Sequence, residues 1–136
     1  MIIETIVSTM DNDEKVNFSP FGIKKNKNQI YISPYIPSKT LLNLESTKCA
    51  VVNYTDDTSF FVNCIIGNKK FKKKKCKNFP GFFLEDCFGY EQVKVKRIIK
   101  DKLHNHINYV GHSAPLRYLQ ETNNFIILRD PISRFC

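Results

Sequence analysis

The first half of the chain alternates between short apolar segments and clusters of polar residues. Four of these segments have the length of strands, and β-branched residues are frequent in the first and the last of them. These predicted strands cover residues 2–10, 15–23, 29–33 and 49–54. The polar cluster Asp11–Glu14 separates the first two strands and predicts a turn, so we expect the two strands to form a hairpin.

The segment Ser33–Tyr54 departs from this pattern, because it predicts a helix between two strands. Pro34 and Pro37 stop the preceding strand from continuing, since proline cannot donate to a strand ladder. Ser38 follows at the position where a helix can begin, and its hydroxyl can accept from a free backbone N–H of the first turn. Three leucines then give the segment an apolar side before the predicted helix ends near Lys48.

The start of this predicted helix brings several hydrogen-bond donors together. The free N–H groups of the first turn point along the helix dipole, beside the hydroxyls of Ser38 and Thr40 and the ammonium of Lys39. Such a terminus binds anions, phosphate above all. An ordinary capped helix with a solvated lysine has the same sequence, because capping residues are common. The residues alone leave both interpretations open.

The second half of the chain gives weaker patterns. Ser59–Ile66 is apolar but short, and its length does not separate a helix from a buried strand. Cys87–Ile99 alternates over part of its length and predicts a long strand, and Leu103–Val110 predicts another. The chain is therefore predicted to be mostly β.

Three histidines lie close together within and just after the last of these segments. His104 and His106 would share one face of the predicted strand, and His112 is near them in sequence. Histidines at this spacing can bind zinc, but no cysteine or carboxylate falls into register with them. We therefore predict no metal site.

The composition is that of a globular protein with one domain. The chain has 136 residues, of which 42% are hydrophobic, and no apolar run approaches the length of a membrane span. The N-terminal residues lack the basic start and the cleavage site of a signal peptide, so we expect a cytoplasmic location. The five cysteines are odd in number and contain no C-x-x-C pair, which argues against a disulfide framework; Cys49 and Cys64 are expected to be small core residues.

The net charge of +8 is concentrated in one segment. Lys69–Lys77 contains seven lysines, so the rest of the chain carries a charge of only 8 − 7 = +1. We interpret this segment as a solvated loop, because blocks of like charge repel one another. The alternative is a nucleic-acid-binding patch, but only Phe71 and Phe79 interleave the lysines and could stack on bases. A nucleic-acid partner is therefore not the preferred interpretation.

Three segments resemble a known family, and they occur in its order and at about its spacing. They are ETIVSTMDNDEKVNFSPFGI (Glu4–Ile23), SPYIPSKTLLNLESTKCAVVNYTDD (Ser33–Asp57) and FPGFFLEDCFGYEQVKV (Phe79–Val95). On these segments the chain is similar to the FMN-binding split β-barrel superfamily, which includes the flavin reductases. Within it, the chain is most similar to the domain-of-unknown-function family 447.

The resemblance implies a fold and an assembly. The fold would be mostly β (α+β), a small antiparallel split β-barrel with one or two short helices. Residues 1–110 would form the flavin-binding domain, and residues 111–136 a divergent or truncated C-terminal tail in which Arg117 is the nearest match to a family arginine. Members of the superfamily are homodimers with flavin at the subunit interface, so a homodimer is expected here.

The resemblance also implies a cofactor, FMN, and assigns residues to it. Lys39 and the two neighbouring hydroxyls would bind the phosphate, Asn43 would steady the turn, Asn53 would reach the ribityl chain or phosphate, and the others would lie beside the ring. The nine residues assigned in this way are Asn17, Pro20, Phe21, Gly22, Ser38, Lys39, Thr40, Asn43 and Asn53.

No catalytic acid or base is identified by these segments. The predicted function is that of an FMN-binding flavoprotein, with flavin-dependent oxidoreductase activity on an unidentified substrate. Two alternatives stay open: a basic nucleic-acid-binding module that uses the lysine segment, and a split-barrel fold that has lost its flavin.

Overall fold

A computed structural model of the chain describes residues 2–26, 29–35, 37–98 and 125–135. The elements in chain order are β1 (Ile2–Met10), β2 (Val16–Asn26), β3 (Gln29–Ile32), α1 (Lys39–Thr47), β4 (Cys49–Tyr54), α2 (Thr58–Ile66), β5 (Lys73–Lys75), β6 (Phe82–Leu84), β7 (Gly89–Ile98) and β8 (Phe125–Phe135). Six strands form a closed antiparallel barrel in the order β1-β2-β3-β8-β7-β4, and β5 and β6 form a separate two-stranded sheet. The predicted fold, mostly β with short helices, is confirmed.

The hairpin of β1 and β2 is the longest local pairing of the barrel, and it includes every residue of β1. Its turn is stabilised by Asp11, whose Oδ1 accepts from the N–H groups of Asp13 and Lys15, both at 2.9 Å. Glu14 takes up the left-handed conformation there, with φ of 61°. The predicted turn over the polar cluster is confirmed.

Strand β1 separates two hydrophobic cores. Successive side chains of a strand point to opposite faces, and both faces of residues 5–10 are buried. Val7 packs in the first core, inside the barrel, to which Leu41 and Leu44 of α1 also contribute. Ile6 packs in the second core, on the outer face. Burial on both sides explains why the apolar residues of β1 occur on both of its faces.

The outer core is covered by α2 and by the segment that contains β5 and β6. Phe71 of this segment packs edge-to-face on Phe18 of β2 and on Phe60 of α2, with ring centroids 5.3 Å apart in both pairs. Cys76 and Phe79, which lie between β5 and β6, are buried in the same core. Cys49 and Cys64 also belong to it, which confirms their predicted role as core residues.

The interpretation of Lys69–Lys77 as a solvated loop therefore needs correction. Lys73–Lys75 forms strand β5 and pairs with Phe82–Leu84, while the lysine side chains of β5 stay exposed. The segment is held on the barrel because the apolar residues among and after the lysines pack in the outer core. We call β5, β6 and the connecting residues 76–81 the lysine hairpin.

The ambiguous segment Ser59–Ile66 belongs to helix α2. Its N-cap is Asp57, whose Oδ1 accepts from the N–H of Ser59 at 3.0 Å, and its C-cap is Gly67, with φ of 84°. The two caps favour a helix where hydrophobic periodicity gave no answer. Both helices have nine residues. Within the described ranges, neither is long and apolar enough to span a membrane.

Strand β8 lies beyond the predicted domain boundary at residue 110. Its residues 125–128 pair with β3, and it pairs with β7 as far as residue 135. A boundary at 110 therefore does not describe the barrel, since this strand closes the sheet between β3 and β7. The predicted strand Leu103–Val110, the three histidines and Arg117 lie outside the described residues.

Candidate functional site

Helix α1 begins as the sequence predicts. Ser38 is its N-cap, with extended backbone angles of φ −156° and ψ 158°, and its Oγ accepts from the N–H of Leu41 at 3.1 Å. The carbonyl of Ser38 accepts from Leu42 at 3.1 Å. The N–H groups of Lys39 and Thr40 have no acceptor within the helix, because the first amides of any helix precede its hydrogen-bonding ladder. Among the described residues neither amide has an acceptor, so both can donate to an anion at the helix start.

A polar network fastens this helix start to β2. Asn17 Nδ2 donates to the hydroxyl oxygens of Ser19 at 3.1 Å and of Thr40 at 3.2 Å. The Thr40 hydroxyl in turn donates to Ser19 at 3.2 Å. Thr40 is only 2% exposed, so its hydroxyl is used inside the protein. The network fixes the direction of the first turn, and of its free amides, relative to the barrel.

Lys39 is the cation at this helix start. Its side chain is 54% exposed, and its Nζ lies 3.7 Å from Oδ2 of Asp11 in the β1–β2 turn. The pKa of Asp11 is lowered, first by the hydrogen bond from the backbone of Lys15, then by that from Asp13 and by the charges of Lys39 and Lys15. Asp11 is therefore ionised at neutral pH and holds the ammonium near the first turn. An exposed ion pair of this length is weak, so the ammonium can turn towards a bound anion.

Asn43 lies one turn further along α1 and faces β1. Its side chain is 1% exposed, and Nδ2 donates to Thr9 Oγ1 at 3.1 Å. Thr47 adds a second attachment, because its hydroxyl donates to the carbonyl of Met10 at 3.2 Å. The described contacts of Asn43 orient the helix and do not reach the helix start directly.

Pro20, Phe21 and Gly22 lie in the part of β2 that extends past β3, because β3 pairs only with residues 24–26. Pro20 is exposed, whereas Phe21 points inwards and packs against the barrel core. A Cβ at Gly22 would lie 2.6 Å from Cγ2 of Ile2. The glycine thus allows a β1 side chain to lie close to the β2 backbone.

Asn53 is not brought to the start of α1. It is fully buried and shares a face of β4 with Val51 of the outer core. Its Nδ2 donates to the carbonyl of Ile6 at 2.9 Å, and its Oδ1 accepts from the N–H of Leu84 at 2.9 Å. These contacts tie β4 to β1 and to the lysine hairpin.

Two residues beside the helix start were missed by sequence reasoning. Ser19 shares a face of β2 with Asn17, and this two-residue spacing was a usable signal once Asn17 was singled out. Asp11 was assigned only to the turn, and its pairing with Lys39 depends on tertiary structure. No sequence motif marks either position as part of a site.

The arrangement can bind an anion, since it combines backbone N–H groups, the Ser38 hydroxyl and an ammonium on a fixed helix end. The carboxyl that the structure describes at this helix start, that of Asp11, has a lowered pKa. In the described part of the chain, no group of three or more histidine, cysteine or acidic side chains could hold a metal ion. The described arrangement is therefore suited to binding an anion.

Comparison with known proteins gives one family match. Residues 3–113 match the family described as "Protein of unknown function (DUF447) N-terminal domain", which covers most of the chain. No curated protein matches the sequence.

Three solved structures share the fold. A protein of Shewanella frigidimarina NCIMB 400, provisionally assigned as a flavin reductase with a split barrel domain, has a TM-score of 0.73 and 12% identity over 99% of this chain and 67% of its own. Flavoredoxin of Desulfovibrio vulgaris (Miyazaki F) has a TM-score of 0.70 and 9% identity over 99% of this chain and 70% of its own. An FMN-bound DUF447 protein of Methanosarcina mazei has a TM-score of 0.65 and 18% identity over 99% of this chain and 62% of its own. At such low identities the structural likeness shows the fold alone. The TM-scores confirm the predicted split barrel.

Proposed function

The chain belongs to the DUF447 family, and from that premise we propose that it is a flavoprotein that binds FMN at the start of helix α1. The single observation that carries this proposal is the first turn of α1. Its free amides, the Ser38 hydroxyl and the Lys39 ammonium converge there, held on β2 by the Asn17–Ser19–Thr40 network. The proposal gains support from the Methanosarcina protein, which is described as FMN-bound and belongs to the same family.

The donors of this turn fit a phosphate group. A phosphate monoester carries about 1.5 to 2 negative charges at pH 7 and three acceptor oxygens. The amides of Lys39 and Thr40 can donate to two oxygens along the helix dipole, and the Ser38 hydroxyl still has its proton to donate. The Lys39 ammonium offsets the charge. Thr40 and Asn17 position this turn, since the Thr40 hydroxyl and the Asn17 Nδ2 group bond to each other and to Ser19.

The flavin ring would lie along the part of β2 that β3 leaves unpaired. Pro20 is exposed there, and Phe21 and Gly22 continue the strand next to it. Asn53 is not part of the proposed site, because its amide bonds to Ile6 and Leu84 on the face of β4 that is turned to the outer core. Bound flavin would supply the electron transfer, while the protein supplies binding, orientation and polarity.

Beyond FMN binding, we propose oxidoreductase activity. The Shewanella and Desulfovibrio structures are described as a provisional flavin reductase and as flavoredoxin, which favours electron transfer as the activity of the fold. Of the residues that the structure describes beside the proposed site, Asp11 has a lowered pKa and is ionised at neutral pH. We propose a reaction in which bound flavin exchanges electrons with a second redox partner. A cytoplasmic location stays a prediction.

A homodimer is the proposed assembly. Large apolar side chains are exposed next to the proposed site: Leu42 of α1 is 59% exposed, and Tyr35, which precedes α1, is 42% exposed. A second subunit packed there would cover both side chains and the apolar ring. FMN bound at such an interface would favour the dimer by its higher affinity for that state.

The experiment that tests the cofactor is reconstitution with FMN, followed by gel filtration and an absorption spectrum of the protein fraction. The proposal predicts the two visible bands of oxidised flavin in that fraction. Sedimentation velocity with and without FMN tests the assembly, and the dimer fraction should rise with flavin. A fold that has lost its flavin would elute without the bands, and a monomer that binds FMN in a 1:1 ratio would remove the interface from the proposal.

A further inference from the structure

The lysine hairpin borders a cleft that the proposed flavin site does not use. The cleft has a volume of about 440 Å³ and is lined by Lys74, Lys75, Lys77, Asn78, Phe83 and Tyr90. This volume lies within the range of small-molecule sites, about 300 to 1,000 Å³. The lining combines three ammonium groups with two aromatic rings, so the cleft has a cationic part and an apolar part.

The cationic part is only partly neutralised. Lys75 Nζ lies 3.1 Å from Oε1 of Glu14, and Lys74 Nζ lies 3.9 Å from Oε1 of Glu85. All four of these side chains are at least 41% exposed, so the pairs contribute little and can exchange for a bound anion. Lys77 forms no ion pair with any residue in the described ranges. Three ammonium groups against two carboxylates leave the cleft positive.

The apolar part is a pair of stacked rings. Phe83 of β6 and Tyr90 of β7 have ring centroids 4.1 Å apart and an interplanar angle of 9°. The pair crosses from the lysine hairpin to the barrel, so it fixes one wall of the cleft. A flat heteroaromatic ring can pack against such a wall with little dependence on its exact chemistry.

The lysines are carried by a fixed frame, which lowers the entropy cost of binding. The hydroxyl of Ser8 donates to the carbonyl of Phe82 at 2.5 Å, and Oδ1 of Asn53 accepts from the N–H of Leu84 at 2.9 Å. Within the hairpin, the N–H of Cys76 donates to the carbonyl of Gly81 at 2.9 Å. The ammonium groups can move on their stems, but the backbone that carries them is held on the barrel.

We propose that this cleft binds a free nucleotide that carries more than one phosphate. A single phosphate monoester brings about 1.5 to 2 negative charges, so two or more phosphates match three ammonium groups better than one does. The base would pack on the wall formed by Phe83 and Tyr90. The volume of the cleft suits one nucleotide and not an extended strand. The near-neutral charge of the rest of the chain, +1 once the seven lysines are subtracted from +8, concentrates the attraction for anions at this hairpin.

The test is calorimetric titration with ADP of the full chain carrying one equivalent of FMN, so that the start of α1 is occupied and no free FMN competes in the cleft. Two matched double variants separate the cleft from general charge. Lys74→Ala/Lys77→Ala removes two ammonium groups of the cleft, and Lys70→Ala/Lys72→Ala removes two exposed lysines that do not line it. We expect saturable binding of ADP, about tenfold weaker in the first variant and within about twofold of the parent in the second. Urea unfolding of both variants shows whether the fold is kept.

Three further ligands show which part of the nucleotide is recognised. Pyrophosphate and adenosine should each bind more weakly than ADP, since each lacks one half of the contacts. The proposal is overturned by the absence of ADP binding, by equal losses in the two double variants, or by pyrophosphate binding as tightly as ADP. The third ligand is oligothymidylate. Salt-sensitive binding of it that depends equally on both pairs of lysines would also overturn the proposal, in favour of a nucleic-acid surface.

Discussion

The start of helix α1 and the lysine hairpin both present cations beside the β1–β2 turn, but they do so in different ways. Lys39 at the helix start is paired with Asp11 of that turn, and Lys75 of the hairpin with Glu14. The helix start adds backbone amides whose direction is fixed by the helix and by a buried polar network. The hairpin offers only flexible side chains beside a ring pair. A small count of donors in fixed directions recognises one phosphate, whereas a larger count of mobile charges suits a more highly charged ligand.

The largest expected effect is on the free energy of unfolding and comes from replacing Asn53, which attaches the lysine hairpin to the barrel. Asn53→Ala removes the partner of the Leu84 N–H and of the Ile6 carbonyl, both in a buried environment. We expect a loss of about 2 to 4 kcal/mol in the free energy of unfolding, measured by urea denaturation. Asn68→Ala, at an exposed position, is the control and should change it by less than about 0.5 kcal/mol.

The Asn53→Ala variant also tests whether Asn53 contributes to flavin binding or only to the stability of the fold. Under conditions where Asn53→Ala is still folded, its affinity for FMN should equal that of the parent, because its amide faces the outer core. A selective loss of FMN affinity in folded protein would return Asn53 to the flavin site and contradict the separation of the two regions.

A smaller effect is expected at Thr40, within the network that holds the helix start. Thr40→Val keeps the shape but leaves the amide of Asn17 and the hydroxyl of Ser19 with fewer partners. We expect a loss of about 1 to 3 kcal/mol in stability and weaker FMN binding. Thr40→Ser keeps the hydroxyl and should lose about 0.8 kcal/mol or less, with FMN affinity retained. If both variants bind FMN like the parent, the network does not position the phosphate turn.

The pH dependence of stability tests the Asp11 contact. Its pKa is lower in the folded protein than the ordinary carboxyl value of 3.8, chiefly because its carboxylate accepts from the Lys15 backbone. A lowered folded pKa gives stability that is present above the ordinary value and is lost as the pH falls through the lowered one. The difference in urea midpoint between the parent and Asp11→Asn should therefore be constant from pH 5 to 7 and shrink below about pH 4. A difference that persists unchanged at pH 3 would contradict an ionised Asp11.

The smallest effect on the flavin is expected from the lysine hairpin. Replacing Lys72 to Lys75 with serine should leave FMN affinity unchanged and alter stability by about 0.5 kcal/mol or less, since these side chains are exposed. Fluorescence titration with FMN and urea denaturation measure the two quantities. Loss of FMN binding in this variant would join the two regions into one site.

Local signals in the sequence were sufficient for strands β1 to β4 and the start of α1. The β-branched runs predicted β1 and β4, and Ser38 after two prolines predicted the helix cap. These features depend on residues that are neighbours in sequence, so a single sequence reveals them.

Tertiary contacts determined what the sequence did not reveal. The sequence of the lysine segment predicts a solvated loop, because its charged residues outnumber its apolar ones. In the structure Cys76 and Phe79 are buried in an outer core that no local pattern predicts. Strand β8 was missed because only its pairing with β3 and β7 identifies it as part of the barrel. The amide of Asn53 likewise gained its role from Leu84, which is 31 residues away.

The measurement that tests the central proposal most directly compares FMN with riboflavin, because the two flavins differ only in the phosphate. Flavin fluorescence is titrated with the parent, with Lys39→Ala and with Lys72→Ala, whose lysine is exposed in the loop that leads to the hairpin. We expect the parent to bind FMN about tenfold or more tightly than riboflavin. That ratio should fall towards one in Lys39→Ala and stay unchanged in Lys72→Ala. Equal affinity of the parent for the two flavins would contradict a phosphate site at the start of α1.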